Sequence, residues 1–351
     1  MLIEKFSKSA GPILESKEHF FQNNSELCES LLAQNEIYTA QPRRTRCKNC
    51  DALLPKEPER HFVKHGVAYV LCGLCSHLNG VHEDSEEFCK KIYVEDDGKT
   101  YGKNYQSEDK SQYWERVHSI YLPKALFLKE VLSNSGADFA QLSCTDFGSG
   151  SGYFVGAMQK ALCGSALGFD VSRSQIDLGN HFLGDGSLFC KTPEEMASMC
   201  PEVTSKLISF IGVLEHLREP RLVLNQVCAN RHIDYLFISV PLFSFSVFLE
   251  AVFPRIMPRQ LAGAHTHLFT PESLEYMEEE FHLHPLGKWW FGTDVIDLYR
   301  SLSVSLSSDS DTRELQPIVT KHFKEYLDEL QGVIDRSRLC SEVHAVYQIR
   351  R

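Results

Sequence analysis

The chain predicts an α/β fold: a doubly wound, mostly parallel sheet of seven strands, preceded by a small cysteine-hooked module. Three observations predict it. Leu142 to Asp170 reads as strand, glycine turn, helix and strand, the alternation that builds a parallel sheet. Five more apolar runs, at 187–190, 206–212, 233–240, 282–290 and 342–349, bring the strands to seven. Upstream, Cys47 with Cys50 and Cys72 with Cys75 form two Cys-x-x-Cys hooks in a stretch too short to bury a core of its own.

At 351 residues the chain has room for one large domain and a smaller module. A hydrophobic content of 43% supports such a core, and a net charge of −11 argues against a general polyanion binder. The first ten residues carry Glu4, Lys5 and Lys8 and no apolar central run. The reading is therefore a cytoplasmic protein without a cleaved leader. There metal ligation for four of the twelve cysteines, and burial for most others, is preferred to a disulfide framework.

Residues 1–40 read as helical and poorly ordered, with Ser25 capping a helix through Leu27, Leu31 and Leu32. Residues 41–90 read as a zinc-binding, ribbon-like module. Four thiolates satisfy a tetrahedral zinc ion, and the 21 residues between the hooks contain Phe62-Val63 and Val67 to Leu71, suited to a hairpin. His61, His65, His77 and His82 are alternative ligands. Gln41 to Gly66 sets seven cationic side chains against three acidic ones. That patch reads as a nucleic-acid contact, as a solvated face screening the thiolates, or as a seat for a small anion such as a sugar diphosphate. The lack of interleaved aromatics favours the last two. Residues 91–140 form a connector with an Asp97-Gly98 turn, then a helix pair marked by Tyr113, Val117 and Ile120 and, past Pro123, Leu126, Phe127 and Val131.

Residues 141–351 make the main domain. Asp146, Gly148, Gly150 and Gly152 fall in a D-x-G-x-G-x-G pattern. A dinucleotide fingerprint would need a third glycine at the position of Tyr153. Glycine lets the backbone turn tightly and lie flush against a ligand, and an acid ending the next strand, Asp170, suits the hydroxyls of a ribose. This spacing resembles motif I of the class I S-adenosylmethionine-dependent methyltransferases. The resemblance implies a Rossmann-like sheet with Asp146, Phe147, Gly148, Ser149, Gly150 and Gly152 around the cofactor, and Asp170 and Val171 at its ribose. Gly212 to Pro220, GVLEHLREP, resembles motif IV of members acting on small molecules, including quinone precursors and sugars. It implies that Gly212 and Glu215 lie against the cofactor. Ser205 and Lys206 stand where an acid is frequent, and no D/N-P-P-Y signature is present, which disfavours base amines as acceptors. In methyltransferases of this type the preceding helical segment covers the cofactor, which would bring Tyr105 or Tyr113 to it.

Past the fourth strand, Arg221 to Ala229 is helical and Tyr235 to Leu249 is apolar but too short, and broken by Pro241, for a membrane span. An insertion around 241–270 is expected to roof the acceptor site. It ends in Thr270-Pro271-Glu272, a capped helix start. For a hydroxyl acceptor the base candidates are His216, His265 and His267, with Glu215 orienting. Ser301 to Thr312 reads as a serine-rich linker, Leu315 to Ile334 as an amphipathic helix and Glu342 to Ile349 as an edge strand. Zinc-bearing methyltransferases of nucleotide-linked sugars have a comparable order, so the acceptor is expected to be a sugar, nucleotide-sugar or related metabolite. The rivals are an RNA methyltransferase gripping its substrate through the ribbon and a non-catalytic scaffold.

Overall fold

The computed structural model describes residues 2–11, 14, 19–94, 109–261 and 265–351. Tyr105 and the Asp97-Gly98 turn lie outside the described residues. Among these residues twelve strands form two sheets. In chain order they are β1 (Ile3–Phe6), β2 (His61–Lys64), β3 (Val67–Leu71), β4 (Leu78–Gly80), β5 (Ser143–Phe147) and β6 (Ser165–Asp170). Then follow β7 (Leu188–Cys190), β8 (Leu207–Ile211), β9 (Tyr235–Pro241), β10 (His267–Leu268), β11 (Leu283–Phe291) and β12 (Glu342–Ile349).

The large sheet has eight strands in the order β1-β11-β12-β9-β8-β5-β6-β7. Seven match the runs expected from the sequence; β1 is the addition. It pairs parallel to β11 with Ile3 opposite Gly287, so the first residues are a sheet edge where helix was expected. Further along, the helix Asn24–Thr39 starts one residue before Ser25, and position 23 occupies its cap.

β12 was expected at an edge. It lies instead between β11 and β9, antiparallel to both. Its polar letters misled: His344 is fully buried and Glu342 is held by Ser239 and Lys124. The expected linker at Ser301 is the second half of the helix Asp294–Ser308, with Ser301 and Ser303 buried. Serine in that register packs closely against neighbours rather than marking a loop. The expected helix from Leu315 is split into Gln316–Phe323 and Leu327–Arg336.

Two apolar cores flank the sheet. Helices Lys110–Arg116, Leu122–Asn134 and Tyr153–Lys160 contribute to one, with Tyr113, Val131 and Phe154 buried there. Helices Pro220–Ala229 and Pro271–Glu280 contribute Leu224, Val227, Leu274 and Met277 to the other. The adjacent Trp289 and Trp290 illustrate the strand period: one enters each core.

The small sheet, in the order β10-β4-β3-β2, contains the expected hairpin of β2 and β3. Its fourth strand, β10, comes from the 241–270 insertion and pairs His267 with Asn79. Its core likewise mixes Tyr69 and Leu78 with Val247, Leu261 and Leu268. The cysteine-hooked segment is thus built into the main domain. No helix among the described residues is long and apolar enough to cross a membrane.

Candidate functional site

The chain runs from β5 to β6 and β7 on one side, then to β8 and β9 on the other. The order reverses at β5, and in open α/β sheets ligands bind in the crevice beyond the strand ends at such a point. Glycine turns lie there. Gly148, Gly150 and Gly152 have φ of 68°, 54° and 72°, in the left-handed region that side chains strain to enter. A Cβ on Gly148 would stand 2.5 Å from Val213 Cγ2, and one on Gly150 would stand 2.8 Å from Gln175 Oε1. The backbone N–H groups of Gly148 and Ser149 both donate to the Phe169 carbonyl, clasping the turn to β6. The Ser149 and Ser151 hydroxyls are buried with no partner.

Asp170 ends β6 and is anchored to that turn. Its Oδ2 accepts from Gly150 N–H at 2.8 Å and its Oδ1 from Ser172 N–H at 2.8 Å. Each carboxylate oxygen has two lone pairs, so a second acceptance at each is available to a diol. Burial pushes the Asp170 carboxyl up, against the opposing pull of these N–H groups. Asp146, two residues before Gly148, is buried and accepts from Ser209 Oγ at 2.6 Å. Burial pushes it up to about 7; Ser209 pulls down and the Asp170 charge adds to the rise. Phe147 lies in the core and Val171 follows Asp170, half-buried. The turn and Asp170 therefore set left-handed glycine backbone beside an anchored carboxylate at the point where the strand order reverses. Tyr113 is buried against the turn, its hydroxyl donating to Ser151 O at 2.9 Å.

The second part of the site follows β8. Gly212, at φ 68°, turns the chain into a short helical turn, Leu214–His216. Glu215 is 3% exposed, and its Oε2 is buried without a partner. Burial pushes its carboxyl up to about 8. Its Oε1 stands 3.9 Å from His216 Nε2, and the His216 ring lies 5.2 Å from that of His265. His265 Nδ1 donates to Gln260 O at 3.0 Å, and burial pulls this imidazole down to about 4. Tertiary folding thus brings together Glu215, His216 and His265. It separates His267, which sits in β10, fully buried, with Nδ1 2.8 Å from His77 Nε2.

The four hook cysteines are buried and their sulfurs lie within 4.8 Å of one another. Cys47 Sγ is 3.7 Å from Cys75 Sγ, and Cys50 Sγ is 3.5 Å from Cys72 Sγ. Four thiolates about 2.3 Å from one tetrahedral ion stand roughly 3.8 Å apart, so the set fits zinc. Both hooks have the same local build. Cys47 O and Cys72 O accept from residues four later, Asp51 and Ser76, and those two residues are left-handed at φ 61° and 59°. His61 and His77 take other partners, Pro58 O and His267; His65 occupies the β2–β3 turn and His82 lies edge-on to Tyr38.

Sequence reasoning missed Lys48. It lies inside the first hook, yet its ammonium is buried, 2.7 Å from Asp84 Oδ2 and donating to the Leu217 and Arg218 carbonyls. It ties the cysteine hook to the loop that follows His216. Asn49 and Arg221 add Asn49 Nδ2 to Ser273 O and Arg221 Nη1 to Asn49 O.

Residues 113–284 match the family model of a methyltransferase domain. The chain is similar to several solved structures. The plantazolicin methyltransferase BpumL is 14% identical, covering 75% of this chain and 94% of that one, with a TM-score of 0.45. A geranyl diphosphate C-methyltransferase from Streptomyces coelicolor is 14% identical, covering 70% and 85%, at 0.39. A SAM-dependent methyltransferase from Archaeoglobus fulgidus is 15% identical, covering 64% and 94%, at 0.38. No curated protein matches the chain.

Proposed function

We propose that the chain, whose residues 113–284 match the model of a methyltransferase domain, uses S-adenosylmethionine to methylate a small polar metabolite of the sugar or nucleotide-sugar class. The observation that carries the cofactor assignment is Asp170, held by the N–H groups of Gly150 and Ser172 beside three left-handed glycines. In this reading Gly148, Gly150 and Gly152 lie against the methionyl part, with Asp146, Phe147 and Ser149 shaping the turn. Asp170 takes the ribose diol, Val171 flanks the ring, and Gly212 and Glu215 border the far side. When bound, the cofactor supplies a methyl on a sulfonium, the sulfur keeping the bonding pair as the acceptor oxygen gains the methyl and loses a proton. The protein's task is alignment, and the proton is given up beside the group formed by Glu215, His216 and His265. His267 stands outside this group, fully buried, with its Nδ1 engaged by His77 and its Nε2 without a partner.

Cys47, Cys50, Cys72 and Cys75 are assigned to structural zinc, which cross-links two hooks to one point. A cluster of reduced thiols suits the cytoplasm. The RNA reading is weakened by where the basic residues go. Arg44 and Lys48 are buried on Asp84, Arg46 pairs with Asp51, and Arg43 and Arg60 donate to the Lys56 and Cys72 carbonyls.

Calorimetry of the full chain with S-adenosylmethionine tests the assignment: heat of binding and a thermal upshift are expected, and neither appearing would overturn it. Incubation of a metabolite pool with methyl-deuterated cofactor, read by mass spectrometry, identifies the acceptor.

A further inference from the structure

The group at the end of β8 has more than acid–base character. It contains two imidazoles and one carboxylate, and one ligating atom from each lies within 4.8 Å of the others. We propose that Glu215, His216 and His265 hold a divalent first-row transition-metal ion, whose open coordination position takes the acceptor oxygen. The inference rests on the methyltransferase reading for its role in catalysis, and on geometry alone for the existence of the site.

Four observations carry it. The donor set is two histidines and one glutamate, a set that holds catalytic zinc and other divalent ions while leaving positions open. The Glu215 and His216 atoms are 3.9 Å apart. Ligands about 2.1 Å from one ion stand roughly 3.4 Å apart in a tetrahedron and up to about 4.2 Å when opposite, so this pair is already within coordination range. His265 carries the support that metal-bound histidines generally have: its Nδ1 faces the Gln260 carbonyl at 3.0 Å. A carbonyl only accepts, so Nδ1 bears the proton and Nε2 keeps its lone pair for a metal. Finally, Glu215 Oε2 is buried without a partner in a residue 3% exposed. An unpartnered buried carboxylate oxygen is costly, and a cation beside it removes that cost.

The position gives the ion a use. Glu215 and His216 sit on the turn that leaves β8, next to β5 and its glycine turn. An acceptor hydroxyl bound to the ion loses its proton more easily, and that proton passes to water. The oxygen then forms its bond to the methyl as the methyl–sulfur bond breaks, the sulfur retaining the electron pair as a neutral thioether. The two imidazoles thereby act as ligands rather than bases.

Mn2+ alone is the probe, because thiolates prefer softer ions and the cysteine hooks compete little for it. The chelator-stripped full chain, reloaded with one equivalent of zinc, is titrated with Mn2+ by electron paramagnetic resonance. One bound Mn2+ per chain is expected, with at least tenfold weaker binding in Glu215→Gln and in His265→Ala. Electron spin-echo spectra of the Mn2+-loaded parent should contain two imidazole nitrogens, and bound Mn2+ should relax solvent water through its open positions. The spin-echo readout needs no variant, so a misfolded substitution leaves the test intact. No Mn2+ bound, affinity unchanged in both variants, or fewer than two nitrogen couplings overturns the site. Calorimetry with S-adenosylmethionine on the same samples separates the two claims: cofactor binding without Mn2+ sinks this inference alone, while Mn2+ without cofactor leaves the ion and removes its methyltransferase role.

Discussion

At the residue scale, what matters is backbone freedom and buried charge. Gly150 lies at φ 54° with its N–H committed to Asp170. Gly150→Val would demand a left-handed β-branched residue, costing about 1–3 kcal/mol locally, and would press on Gln175. We expect binding of S-adenosylmethionine to fall at least 100-fold while the far-ultraviolet circular dichroism is unchanged; parental affinity in calorimetry would refute the turn's role. Asp146 gives a pH signature. Its carboxyl is pushed up from 3.8 to about 7, first by burial. Between these values the folded chain holds a proton that the unfolded chain has released. Stability therefore falls as pH rises from about 4 to 7, with this contribution exhausted above 7. Asp146→Asn cannot titrate and still offers Ser209 an oxygen. The melting temperature of the variant minus that of the parent should climb from pH 4 to 7 and then level off. A flat difference would show that Asp146 is ionised in the folded protein throughout.

At the element scale, the cysteine hooks and the loop after β8 behave as one unit. Asp84 stands between them, 3% exposed at its side chain, taking Arg44 at 2.8 Å and Lys48 at 2.7 Å. Removing the central charge strips buried Lys48 of its carboxylate and leaves Arg44 only the half-exposed Glu83, and losing one partner of a buried pair costs about 3–5 kcal/mol. Asp84→Asn should lower the unfolding free energy by that amount in urea. It should also loosen the loop at Leu217 and Arg218, read as faster amide exchange there; unaltered exchange would show the hook and loop to be independent. Cys72→Ser should weaken the thiolate-to-metal charge-transfer absorption of the Co2+-substituted protein, since each bound thiolate contributes to it and one of the four is lost. An undiminished band would assign the ligands elsewhere. These hooks were legible in the sequence because their spacing is itself the chemistry. Their attachment was not: Lys48 reads as one charge in a basic run, and only the fold shows its ammonium meeting carbonyls 169 and 170 positions away.

At the scale of the whole molecule, two cores share one sheet, so its middle strands are buried on both faces. Phe237 on β9 is fully buried in one core, with Phe154 at 5.6 Å and His344 at 5.9 Å, while its neighbours Leu236 and Ile238 enter the other. Phe237→Ala should cost about 3–5 kcal/mol, seen as a cooperative shift of the entire denaturation curve. A biphasic curve would mean that the small sheet unfolds separately, contrary to its shared core with Val247, Leu261 and Leu268.

From its letters alone the chain determined the strand–turn–helix–strand around Gly150, the acid at Asp170, the two cysteine hooks and the boundaries of most strands. Each of these depends on properties local in sequence: a positive φ, a side-chain period, a ligand spacing. Tertiary structure alone decided that β12 lies inside the sheet, that β1 extends it and that β10 joins the small sheet. It alone sorted three histidines into a pair beside Glu215 and one against His77. Periodicity states which face of a strand is apolar but not which strand will lie beside it. Neighbours are chosen by the closure of two cores over residues hundreds of positions apart, and the chemical fate of a histidine depends on those neighbours.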